Sequence, residues 1–193
     1  LYIVGVSGKA GAGKDTLVDY MQSRLTDSGM DSDRFAFAKG VKIFGKRYFG
    51  EICDPVVKDP TSRLVLQGIG QMMRSEVSED YWVNRARHLI TEKAQQAGPS
   101  KDLVIFITDV RYKNEADALS VKNWEFFNTG NIHETKLLVR INGRTSLTGE
   151  AALHPSETDL DDYTDFDTVY DNVASLEDLY AYGDAVLKRI IHD

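Results

Sequence analysis

Leu1-Tyr2-Ile3-Val4-Gly5-Val6-Ser7-Gly8-Lys9-Ala10-Gly11-Ala12-Gly13-Lys14-Asp15-Thr16 contains the change of pattern on which the fold turns. Leu1 to Val6 is a nearly continuous apolar run, which suits a strand buried on both faces of a parallel sheet. A glycine-rich stretch follows. From Lys14 onward, Leu17, Val18, Met21 and Leu25 fall at helical spacing, with Asp19, Gln22, Ser23 and Arg24 on the other side and Gly29 just past the predicted helix end. Strand, glycine loop and amphipathic helix thus come in the order of a phosphate loop. In such a loop the glycines permit a tight turn whose amides converge on a phosphate at a helix N-terminus, while the lysine reaches the β/γ oxygens. Gly8, Lys9, Ala10, Gly11, Ala12, Gly13 and Lys14 match that pattern, and Asp15 and Thr16 complete the ATP-binding stretch. Asp15 stands where a Ser or Thr hydroxyl normally ligates Mg²⁺, so the metal role passes to Thr16 or to water.

Outward from this stretch, strand and helix patterns alternate. Phe35-Ala36-Phe37 reads as a second strand and Val41 to Phe49 as a helix. Asp59-Pro60 reads as an N-cap with proline at the first helical position, opening a helix with Leu64, Val65, Ile69, Met72 and Met73 at core spacing. Ser78 reads as the cap of the next helix, which ends near Gly98-Pro99. Leu103 to Ile107 is the strongest strand and leads into Thr108-Asp109-Val110-Arg111, with a helix predicted from about Lys113. Lys136–Ile141 and Phe166–Tyr170 read as further strands. A last helix opens after Ser175 and runs to about His192. The pattern predicts an α/β fold in three layers, a mainly parallel sheet flanked by helices. At 193 residues the chain is expected to form one domain, 1–193, with a lid segment at about 142–165.

Composition narrows the function. The apolar and charged fractions, 42% and 27%, are those of a globular protein. The net charge of −7 disfavours bulk binding to a nucleic-acid polymer. No apolar run reaches membrane-span length, and the first residues read as a strand rather than a signal. A single cysteine, Cys53, excludes an intramolecular disulfide and a cysteine metal cluster, and packing is its expected role. Any anionic ligand must therefore be held by a local concentration of Arg, Lys and backbone N–H groups.

Asp109, at the end of the strongest strand, is placed to handle Mg²⁺, directly or through water; the alternative is a helix-capping role. Arg111, two residues on, is placed to reach an acceptor phosphate or the migrating group. Arg74, Arg85 and Arg87 lie in the helical middle with Tyr81 and Trp82. Guanidinium groups suit bidentate phosphate binding and an aromatic ring can stack on a base, although for Trp82 alone core packing at helical spacing is the preferred reading. Lys42 joins the acceptor group, with a solvated helix face as its alternative. His154 has no hydrolase or metal-ligand partners at suitable spacing.

With these residues in view, the sequence resembles the bacteriophage-type deoxynucleoside monophosphate kinases of the P-loop kinase group. The resembling blocks are Gly13-Lys14-Asp15-Thr16, Leu66-Gln67-Gly68-Ile69-Gly70, Asp80-Tyr81-Trp82-Val83, Thr108-Asp109-Val110-Arg111 with Asn114-Glu115, His154-Pro155-Ser156-Glu157, and Asp171-Asn172 before Ser175 to Leu179. The resemblance implies ATP as donor, a deoxynucleoside monophosphate as acceptor, Mg²⁺, and a nucleoside diphosphate product. It implies Lys14 and the loop amides on the donor, Asp109 on the metal, Arg74 and Arg111 on the acceptor or migrating phosphate, and Arg140 and Arg144 contributing from the lid side. A cytoplasmic location is expected, that of the host if the chain is phage-encoded, and a homodimer is left open. A kinase for another phosphorylated metabolite, of the phosphomevalonate or dephospho-coenzyme A kind, keeps the same chemistry. A guanine-nucleotide switch would carry N-K-x-D, which Lys113-Asn114-Glu115 does not supply.

Overall fold

The computed structural model describes residues 1–53, 60–98, 102–120, 134–145 and 147–191. Its centre is a five-stranded parallel sheet of β1 (Tyr2–Ser7), β2 (Asp31–Phe35), β3 (Leu103–Val110), β4 (Thr135–Asn142) and β5 (Thr168–Asp171), in the order β2-β3-β1-β4-β5. Tyr2 pairs with Val104 on one side and with Thr135 on the other, which puts β1 and the loop after it in the middle of the sheet's C-terminal edge.

The period of two along these strands divides the core into two layers. Ile3, Leu103, Ile105, Ile107 and Leu138 face α2 (Ala38–Phe49), α3 (Pro60–Glu76), α4 (Tyr81–Ala97) and α5 (Lys113–Leu119). Val4, Val6, Val104, Phe106, Leu137, Val139 and Ile141 face α1 (Lys14–Asp27) and α7 (Leu176–Ile191). Both faces of the central strands are therefore covered, which is why they read as unbroken apolar runs. Gly183 lets α7 lie against α1, since a Cβ there would stand 2.9 Å from Tyr20 Cδ1. Cys53 is fully buried, and its Cβ and Sγ would be 3.0 and 3.3 Å from a side chain at Gly45.

Several boundaries differ from the sequence expectation. The second strand is Asp31–Phe35 rather than Phe35–Phe37. Among the described residues it is the sheet's edge and pairs with β3 alone, and so tolerates Asp31, Ser32, Asp33 and Arg34, while the chain beyond Phe35 already turns into α2. In α3, Ile69 is buried and Val65 and Met73 pack against the core at i, i+4 spacing. Leu64 and Met72 instead lie on the outer face, 69% and 48% exposed. Asp80, not Ser78, precedes α4; the Ser78 hydroxyl accepts the Asp80 N–H at 3.3 Å and shapes the turn before it. The expected cap at Asp59 and the stop at Pro99 lie outside the described residues. Within 142–165, the short helix α6 (Pro155–Thr158) follows a 3₁₀ turn at Gly149–Ala152. Among the described residues no helix is long and apolar enough to cross a membrane.

Candidate active site

The loop between β1 and α1 bends through Gly8 at φ 149° and Gly13 at φ 102°, conformations that L side chains rarely adopt. At Gly8 space forbids a side chain as well, since a Cβ would lie 2.5 Å from the Ile141 carbonyl oxygen; at Gly13 a Cβ would lie 2.5 Å from Asn172 Nδ2 and displace that amide. Ala12 N–H donates to the Lys9 carbonyl at 3.1 Å, and Asn172 Nδ2 donates to the Ala12 carbonyl at 2.9 Å, so the loop closes on itself and is fastened from the segment after β5.

Lys14 folds back over this loop. Its Nζ donates to the carbonyls of Gly8 and Lys9 at 2.7 and 2.8 Å, and the residue is buried. Burial first, then the Arg111 cation, lowers its pKa to about 8, with Glu157, Asp15 and Asp109 pulling the other way. Asp15 and Thr16 are exposed at the start of α1, and Asp15 lies 3.6 Å from Arg34.

Asp109 lies near the end of β3, with Oδ1 and Oδ2 accepting the N–H groups of Phe37 and Ala38 at 2.7 and 2.8 Å. Its carboxylate thus caps the start of α2, and burial raises its pKa against those two bonds and the Arg111 and Lys42 cations. The capping alternative weighed from the sequence is present, with α2 rather than the following helix as the recipient. Each oxygen keeps a lone pair for water-mediated contact with a cation.

Beside Asp109, the buried Glu115 carboxylate accepts from Arg74 Nη2 at 2.7 Å, the Arg111 N–H at 2.9 Å and the Tyr112 N–H at 3.2 Å. Burial, and next the charge of Asp109, pushes its pKa up to about 7 against the pull of Arg74. Arg74 also donates to the Gly70 carbonyl at 3.3 Å, and its guanidinium carbon lies 3.8 Å from the centre of the Tyr112 ring. This arginine is therefore held on three sides.

The Arg111 side chain points the other way, into residues 154–162. Nη1 donates to Glu157 Oε1 in a very short contact and to the Ser156 carbonyl at 3.3 Å. Glu157 Oε2 accepts the Ala10 N–H of the glycine loop at 3.0 Å, and Arg63 Nη2 lies 3.7 Å from Oε1. Asp161 is 2.8 Å from Lys9 Nζ and 3.5 Å from Arg140 Nη2, and Arg140 Nη1 donates to Ser7 Oγ at 3.0 Å. Burial lowers the pKa of Arg140, opposed by Asp161 and Glu157. His154 precedes α6, and its Nδ1 accepts the Ser156 N–H at 3.1 Å.

Lys14, Arg74, Asp109, Arg111 and Arg140 thus come together at the C-terminal edge of the sheet. Arg144 and Lys42 are exposed. Trp82 is a core residue whose Nε1 donates to the Gly70 carbonyl at 3.1 Å, while its ring walls a cavity of about 280 Å³ between α2 and α4. Arg63, Glu157, Asp161, Ser7 and Asn172 belong to the site without having been assigned to it from the sequence. The signal for two of them was the run of carboxylates Glu157, Asp159, Asp161 and Asp162 in a segment facing a basic loop.

No family model matches the chain, and no curated protein matches it in sequence. Among solved structures, it superposes on the APS kinase of Mycobacterium tuberculosis with a TM-score of 0.47 at 10% identity, covering 97% of this chain and 96% of that one. It superposes on dephospho-CoA kinase from Campylobacter jejuni with a TM-score of 0.47 at 14% identity, covering 99% and 98%.

Proposed function

We propose that the chain is an ATP-dependent phosphotransferase of the P-loop kinase group that phosphorylates a small phosphorylated acceptor, a deoxynucleoside monophosphate being the first candidate. The observation that carries this reading is the anion seat itself: a glycine-loop amide and two arginines from separate elements converge on one buried carboxylate beside Lys14. Donors arranged in that way suit a phosphoryl group, whose oxygens accept from several directions at once.

In this reading the loop amides and Lys14 hold the β and γ phosphates. Arg111, at the boundary between the donor loop and the helical side, neutralises charge on the migrating group. Arg74, fixed by Glu115 and Tyr112, grips the acceptor phosphate. That phosphate is already an anionic nucleophile, so the new P–O bond forms as the bond to the β-phosphate oxygen breaks, and no residue has to remove a proton. Thr16, exposed on the first turn of α1, offers a hydroxyl for Mg²⁺, and Asp109 offers lone pairs to its bound water. Bound there, Mg²⁺ would neutralise charge on the β and γ oxygens. The lid segment, which meets the loop through Glu157 and Asp161, is suited to exclude water and so to limit hydrolysis of ATP.

The test is incubation with ATP and Mg²⁺ against all deoxy- and ribonucleoside monophosphates, dephospho-coenzyme A and phosphomevalonate, following product and ADP by chromatography. Diphosphate formation from a deoxynucleotide supports the full reading. Turnover only with a non-nucleotide acceptor replaces the acceptor and keeps the chemistry. No acceptor-dependent ADP at all would sink the phosphotransferase reading.

Donor binding is also expected to take up a proton. In the free protein Lys14 titrates at about 8, and a bound triphosphate favours its ammonium form. Above pH 8 the neutral amine must therefore be protonated on binding, and affinity falls by up to about tenfold per pH unit. Calorimetry at pH 8.5 in two buffers of different ionisation heat measures this uptake, which the Lys14→Ala protein should lack.

A further inference from the structure

We infer that residues 154–161 act as an internal competitor for the donor, with the Glu157 carboxylate seated where a phosphoryl group of the nucleotide goes; the inference rests on the phosphotransferase reading above. Glu157 has a side chain only 1% exposed, yet its partners come from outside its own segment: Ala10 in the glycine loop, Arg111 after β3 and Arg63 in α3. Those groups converge from the phosphate loop, from the turn after β3 and from α3, and among the described residues they share no other occupant. Asp161 adds a second tether by pairing with Lys9 of the same loop and with Arg140. A third joins Asp159 to the Lys113 N–H at 2.7 Å and Asp162 to the Lys113 amine at 2.8 Å. Every acid in this set lies on one short stretch, and every cation lies on the loop or beside it.

The Ala10 N–H carries one hydrogen, and Arg111 Nη1 is already committed to Glu157 and the Ser156 carbonyl. A phosphate oxygen at that amide and the Glu157 carboxylate therefore exclude one another. Donor binding must lift α6 from the loop, which also frees Lys9 and Arg140 from Asp161 to meet the incoming charge. The apparent dissociation constant of any polyphosphate is raised in inverse proportion to the fraction of molecules in which the carboxylate is unseated. A device of this kind keeps the loop and its arginines neutralised and ordered while no nucleotide is present.

The test compares wild type, Glu157→Gln, Asp161→Asn and Lys14→Ala by calorimetric titration with inorganic tripolyphosphate and with ATP plus Mg²⁺. Glu157→Gln keeps the side-chain shape and removes the charge, so both probes are expected to bind roughly tenfold more tightly. Asp161→Asn, at a half-exposed position outside the core, is expected to tighten binding in the same direction by less, and it stands as the test if the Glu157 variant fails to fold. Lys14-dependent binding that is unchanged or weaker in both variants would overturn the competitor role while leaving the donor loop intact; Glu157 would then be a holder of Arg111. Absence of Lys14-dependent binding in every protein would overturn the donor-loop reading and this inference together.

Discussion

Lys14→Ala is expected to reduce phosphoryl transfer by roughly a thousandfold or more, the scale of losing a preorganised donor at the point where charge develops. Its effect on stability should have the opposite sign. Burial lowers the amine's pKa from 10.5 to about 8, and a depressed folded pKa means stability present above 10.5 that is lost as pH falls through 8. At pH 7 the ammonium form therefore opposes folding, so alanine should leave the melting temperature unchanged or raise it. The pairing of a collapsed rate with an undiminished melting temperature separates a residue held for its chemistry from one held for the fold. Acceptor-dependent product formation and thermal denaturation, measured on the same preparation, check both halves. Undiminished transfer would remove Lys14 from the mechanism.

The largest expected loss of stability comes from Glu115→Ala, on the order of 3–5 kcal/mol, because it strips a buried carboxylate from Arg74 and from two backbone N–H groups at once. Urea denaturation at pH 7 measures it. Glu115→Gln should cost far less, since the amide oxygen still accepts and burial already favours the uncharged carboxyl. The pH profile distinguishes the two contributions. A folded pKa raised from 4.5 to about 7 gives stability that is present below 4.5 and lost as pH rises through 7. Wild type should therefore weaken across that window, and the glutamine variant should show a flatter curve. An alanine variant as stable as wild type would mean that Arg74 and the Arg111 turn do not depend on this carboxylate.

How much of this was legible in the sequence depended on the periodicity each element carried. β1, β3 and β4 are buried on both faces, so their apolar runs announce them, and the glycines of the loop mark backbone that no side chain could enter. β2 lies earlier than its aromatic residues suggest because an edge strand needs no apolar run, while the conspicuous Phe35 and Phe37 are core anchors flanking the turn into α2. Leu64 and Met72 are one residue off the inward-facing row of Val65, Ile69 and Met73, a distinction too fine for composition alone. In the site, residues of the loop and the strand ends were readable because secondary structure fixes where they emerge. Glu157 and Asp161 were not, since their meaning comes from contacts with Ala10, Arg111 and Lys9, which lie far from them in the sequence. Asp109 was readable in position but not in partners: its bonds to Phe37 and Ala38 require knowing that α2 begins beside β3.

The central place of β1 also sets the order in which the molecule can be assembled. The strand and loop at the start of the described chain have both neighbours far downstream, at residues 103–110 and 135–142, and the clasp on the Ala12 carbonyl comes only at Asn172. A chain folded only as far as residue 100 would carry the glycine motif without β3 and β4 beside it and without the Asn172 clasp. The loop's φ angles, the lysine's burial and the anion seat would appear together and late, as the distant strands close around the first. Long-range parallel pairing of this kind is slow because loop closure precedes its reward. Fragments ending before Asn172 should therefore carry the motif without the geometry, and nucleotide capture would be a marker of complete folding rather than of the motif's presence.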